Sequence, residues 1–78
     1  MTKYNGWANY ETWNVSLWIM NDYNLYSQVL ELKPNNYKNF IKSLGLEKDC
    51  TPDGVAYMSN KLSYDELDER INELVEDL

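Results

Sequence analysis

The chain has no histidine and one cysteine, Cys50. Without a second cysteine it can form no intramolecular disulfide, and without histidine the common zinc spacings cannot be built. A serine or cysteine nucleophile would lack its usual imidazole base. Cys50 lies beside Asp49 rather than beside a cation, so an inert thiol is expected. The glycines, Gly6, Gly45 and Gly54, stand alone, and none belongs to a phosphate-cradling loop. No apolar run approaches the roughly 20 residues needed to span a bilayer, and no basic region followed by an apolar stretch opens the chain. These absences predict a cytoplasmic protein with no membrane contact, no metal, no cofactor and no enzymatic activity. Asn14-Val15-Ser16 fits the glycosylation pattern but falls inside a strongly patterned apolar segment and is set aside.

Seventy-eight residues make one domain, 1–78, and so short a chain removes only about 60% of its extended surface from water on folding. Large side chains must then supply much of the core. Seven of the eleven aromatics, Tyr4, Trp7, Tyr10, Trp13, Trp18, Tyr23 and Tyr26, lie in the first third, where the core is expected to be anchored.

Charge is distributed as unevenly as the aromatics. The net charge is −6, and residues 65–78 carry seven acids against Arg70 alone, so the rest of the chain is neutral. Aromatic abundance could suggest base stacking, but stacking platforms work beside a cationic groove, and the lysines here are scattered. Direct nucleic-acid binding is not expected.

Four helices follow from the periodicity. Asn9 can cap a helix that runs to about Asn21, with Glu11 in its first turn. On it Tyr10, Trp13, Leu17 and Met20 share one side, while Val15, Trp18 and Ile19 fall roughly opposite. Two apolar faces mark it as the central helix, with Trp13, Leu17 and Trp18 chiefly core. Asn21 or Asp22 can cap a second helix that Pro34 ends. Tyr37, Phe40, Ile41 and Leu44 define a third, closed by Gly45, with Leu46 free to pack back on Ile41. Thr51-Pro52-Asp53-Gly54 has the composition of a type I turn. The segment 50–61 is an irregular loop or a short extended piece. Ser63-Tyr64-Asp65-Glu66 has the form of a capping box opening the last helix. The apolar residues of that helix occupy an arc of about 100°, and six of its seven acids, all but Asp68, crowd an arc of about 120° away from it. The fold class is all-α, a single compact bundle of about four helices.

The acidic face, Asp65, Glu66, Glu69, Glu73, Glu76 and Asp77, lacks the glycines and alternating ligands of a calcium loop and reads as a partner-binding surface or a solvating one. Asp65/Glu69, Glu69/Glu73 and Glu73/Asp77 are like charges at i, i+4, each costing roughly 0.2–0.5 kcal/mol, an arrangement that solubility alone does not require. Over about 18 Å of helix its six net charges fall one per roughly 3 Å, close to a single nucleic-acid strand and sparser than a duplex. Trp7, Glu11, Asn14 and Trp18 form a candidate second surface. For Glu11, Thr12 and Asn14 the competing reading is helix capping and hydrogen bonding along a seam.

Asn9 to Ile19, N-Y-E-T-W-N-V-S-L-W-I, resembles the signature of a family of small uncharacterised proteins carried by phages, plasmids and bacteria, with Ser16 where alanine is more usual. T-P-D-G-V-A-Y at Thr51 to Tyr57 and L-S-Y-D-E-L-D-E at Leu62 to Glu69 resemble that family's ending. The resemblance implies a phage or mobile-element origin and action on host machinery, and brings no catalytic residue. The expected function is a non-enzymatic protein-interaction module docking on a host protein through the acidic helix, with a nucleic-acid-binding surface as the candidate to be blocked. The alternative is a self-associating structural or accessory protein whose acidic face only solvates. Partner identity and oligomeric state are left open.

Overall fold

The computed structural model describes residues 4–76, and four helices account for most of them: α1 (Tyr10–Asn21), α2 (Tyr23–Leu32), α3 (Tyr37–Leu44) and α4 (Tyr64–Glu76). The expected all-α architecture is what forms. Among the described residues there is no sheet, and the extended backbone amounts to two isolated antiparallel bridges, Tyr4 with Trp7 and Cys50 with Ala56.

Local chemistry sets the helix ends. The Asn9 side chain accepts from the Thr12 N–H to open α1, Asp22 accepts from Asn24 and Leu25 to open α2, and Asn36 accepts from Asn39 to open α3. At the end of α3, Gly45 takes φ 71°, which a side chain would resist. Its N–H bonds the Lys42 carbonyl while the Leu46 N–H bonds that of Ile41, which is the two-bond Schellman closure.

The helices share one core. Val15 and Ile19 come from α1, Val29 from α2, Tyr37, Phe40 and Ile41 from α3, and Leu67, Ile71 and Leu74 from α4, with Val55, Tyr57 and Leu62 added by the connecting segment. The radius of gyration, 11.6 Å, is close to the roughly 11.5 Å that a compact chain of this length should have. The segment 50–61 is neither a strand nor loose. Val55 and Tyr57 point inward with Ala56 exposed between them, a strand-like alternation held by the Cys50–Ala56 bridge.

Two expectations are corrected. The hub is α4, which packs on each of the other three helices, whereas α1 packs chiefly on α2 and α4. The aromatic core also lies elsewhere: Tyr37, Phe40 and Tyr57 are buried, while Trp13, Leu17 and Trp18 remain partly exposed and Tyr23 is 80% exposed. The reason is one of coverage. The other helices bury Val15 and Ile19 of α1. Trp13 and Leu17 on the opposite side meet only the N-terminal segment and Arg70, and Trp18, beside Val15 and Ile19, is turned to the Thr51–Gly54 segment, where it meets Asp53.

Tyr37 ties α3 to the connecting segment, its hydroxyl donating to the Tyr57 carbonyl at 2.6 Å inside the core. Burial, with the Tyr64 and Tyr57 hydroxyls nearby, holds the Tyr37 hydroxyl far above its ordinary value of 10.0. The folded chain therefore retains a proton that the unfolded chain releases near that value, so this stabilisation is complete below it and falls away as pH rises beyond it. Tyr37→Phe strands the Tyr57 carbonyl and should cost about 1–3 kcal/mol at neutral pH. In urea denaturation at stepped pH, the advantage of the native chain over Tyr37→Phe should shrink above about pH 10.

Candidate functional site

The tryptophan-rich segment and the 51–63 segment are bonded to each other. Asn14 is 1% exposed, and its Oδ1 accepts from the Thr51 hydroxyl at 2.7 Å while its Nδ2 donates to Asp53 Oδ2 at 2.8 Å. The Trp18 indole N–H donates to the same Asp53 oxygen at 2.9 Å. Thr51 Oγ1 in turn accepts from the Val55 N–H, and the Gly54 N–H bonds the Thr51 carbonyl, closing the turn. Two residues before Asn14, Thr12 Oγ1 donates to Asn9 Oδ1 and accepts from the Ser63 N–H, and Asn9 Nδ2 donates to the Lys61 carbonyl. Asn9, Thr12, Asn14 and Trp18 thus each hold a part of 51–63 that no helix would otherwise fix.

This geometry corrects the candidate second surface. Asn14 is buried and hydrogen-bonded, so it cannot present itself to a partner. Trp18 is engaged with Asp53, Glu11 is half-buried, and Trp7 lies apart, on the other side of α1. These four do not form one cluster.

The acidic helix divides in a way its wheel projection does not reveal. Glu66 is half-buried and committed: its Oε1 accepts from the Ala8 N–H at 2.8 Å, while the Ser63 N–H goes to Thr12. The expected capping box therefore does not form, because both of its members have tertiary partners. Asp68 is also committed, accepting from the Tyr37 N–H at 2.8 Å and so supplementing the Asn36 cap on α3. Asp65, Glu69, Glu73 and Glu76 are left exposed on the outer face. Asp77 lies outside the described residues.

Sequence reasoning missed the N-terminal hairpin. Asn5 and Gly6 adopt φ 49° and 88° between the reciprocal Tyr4 and Trp7 backbone bonds of 2.7 and 2.8 Å. Asn-Gly is the usual signal for such a turn, and it was legible in the sequence. The hairpin lays Tyr4 against Trp13 at 4.9 Å between ring centroids, and sets Trp7 beneath Arg70, whose guanidinium is 5.4 Å from the ring centroid. Two grooves flank this pair. One, of about 300 Å³, runs between the hairpin and α4 and is lined by Trp7, Glu66, Glu69, Arg70 and Glu73. The other, of about 230 Å³, is lined by Trp7, Trp13, Ser16, Leu17, Met20, Asn21 and Arg70.

A family model spans residues 1–77 of this architecture. The chain belongs to DUF7249, a family of unknown function. No curated protein and no solved structure matches it. In this DUF7249 chain the described residues include no group of three or more acidic or thiol ligands placed to hold a metal ion. No helix among them is long and apolar enough to cross a membrane.

Asn14→Ala should cost roughly 1–3 kcal/mol, since it leaves the buried Thr51 hydroxyl without its acceptor. The hydrogen bonds from Asn14 and, next, Trp18 hold the Asp53 carboxyl below its ordinary value of 3.8. That contribution is present above the ordinary value and is lost as pH falls through the lower folded one. Asp53→Asn keeps an acceptor oxygen but does not titrate there, so its melting temperature should fall less than that of the native chain between about pH 5 and 2. Parallel melting curves would contradict this assignment.

Proposed function

We propose that this chain is a non-enzymatic protein-interaction module, carried by a phage or other mobile element, that docks on a host protein through the outer face of α4. The observation that carries the reading is the split among its acids. Glu66 and Asp68 are spent on backbone N–H groups, whereas Asp65, Glu69, Glu73 and Glu76 stand in solvent as a row. Asp65/Glu69 and Glu69/Glu73 repel at i, i+4, and among the described residues the only ion pair of the row is Arg70 with Glu73, at 3.6 Å. A basic protein surface relieves that repulsion, and such surfaces are often those that bind nucleic acid. Blocking one is the action that the row suits best.

A second reading, self-association through exposed aromatics with an acidic face that only solvates, is favoured by Tyr23 at 80% exposure and by Tyr4 and Tyr10 at 41% and 39%. It requires a mass that rises with concentration in light scattering. Capture from host lysate tests the first reading, with the native chain compared against Glu69→Gln, Glu73→Gln and Glu76→Gln combined. A partner held by the native chain and released by the variant is the expected result. A partner held equally by both contradicts it.

A further inference from the structure

The groove beside the acidic row narrows the kind of partner. Trp13, Leu17 and Met20 share one side of α1, and with Trp7, Ser16 and Asn21 they line a groove of mixed polarity that ends at Arg70 of α4. Met20 is 38% exposed, and Trp7, Trp13 and Leu17 are each partly so. Trp7 and Arg70 are also walls of the acidic groove that holds Glu69 and Glu73. Arg70 already stacks on Trp7 and reaches Glu73, so it neutralises part of the row and offers little to an incoming anion. The two grooves thus meet at Trp7 and Arg70, with four large apolar side chains set among Ser16 and Asn21 on one side and carboxylates on the other.

Charge selects the occupant. Nucleic acid and anionic lipid headgroups are repelled by Glu69, Glu73 and Glu76. A second copy seated by two-fold symmetry would bring the same groove, and with it the same carboxylates, against each other. A cationic amphipathic protein segment meets neither obstacle. Resting on the proposed docking function, we infer that the partner supplies such a segment, with an apolar side chain entering between Trp7, Trp13, Leu17 and Met20 and a lysine or arginine lying on Glu69 and Glu73. The apolar anchor supplies affinity that the exposed charges alone would not, and the charges fix orientation.

Selection from a display library of random peptides about sixteen residues long, or four to five helical turns, tests this against the intact chain. Enriched peptides should pair Lys or Arg with Leu, Phe or Trp. Met20→Glu, an exposed change that should leave the fold intact, should weaken their binding at least about tenfold, and Glu69→Gln with Glu73→Gln should do the same. Titration followed by nuclear magnetic resonance should shift the Trp7 and Trp13 indole N–H signals and leave that of Trp18, held by Asp53, in place. Binding lost with the glutamine pair but indifferent to Met20→Glu overturns this inference and spares the docking function. Binding lost with Met20→Glu but indifferent to the glutamine pair overturns both, as does enrichment of acidic peptides. No enrichment above background overturns the inference, and so does self-association abolished by Met20→Glu, which would make the occupant a second copy.

Discussion

The buried side chain of Asn14 is the contact on which the rest of this small structure depends. It is the point where α1 meets the Thr51–Gly54 turn, and it satisfies a hydroxyl on one side and a carboxylate on the other. A turn held there sends Val55 and Tyr57 into the core. The Tyr57 carbonyl then receives the Tyr37 hydroxyl and so places α3. A polar relay thus runs from α1 through the connecting segment to α3. In a chain with so few fully buried apolar side chains, such a relay supplies positional definition that hydrophobic burial, being non-directional, cannot. No buried side-chain polar atom among the described residues lacks a partner, so the relay carries no desolvation penalty left unanswered.

The same economy shapes α4. Its apolar stripe closes the core, two of its acids cap backbone N–H groups at Ala8 and Tyr37, and four face water. The inward acids are structural: each satisfies a donor at or near the N-terminal end of another helix, where a negative charge is favoured. The outward acids have no such role, and their mutual repulsion weakens the helix that carries them. That contrast within one element ties charge distribution to the proposed docking surface. The N-terminal hairpin extends the surface by placing Trp7 between the acidic row and the side of α1 that bears Trp13 and Leu17.

Much of the fold was legible from local chemistry. Asn9 and Gly45 marked helix ends correctly because caps are decided within a few residues, and Tyr37, Phe40, Ile41 and Leu44 marked a buried face because α3 has only one. The tryptophans misled because periodicity identifies an apolar face but not whether anything is available to cover it. The capping box failed for a related reason, since Ser63 and Glu66 satisfy the local pattern but found partners at Thr12 and Ala8, more than fifty residues away in sequence. Of the candidate site, the acidic helix was visible as composition, whereas the engagement of Glu66 with the Ala8 N–H and the burial of Asn14 were not. The two motifs were each recognisable alone. Nothing in either spells out that Asn14 bonds Thr51 and Asp53.

Native-state hydrogen exchange tests that central pairing most directly. The Val55 amide donates to Thr51 Oγ1 and the Ser63 amide to Thr12 Oγ1, in a segment without a helix of its own. If the relay organises the fold, both amides should exchange with the same opening free energy as the Ile19 amide of α1, through global unfolding. Rapid exchange at Val55 and Ser63 while Ile19 stays protected would show that the connecting segment opens independently, and would contradict the account.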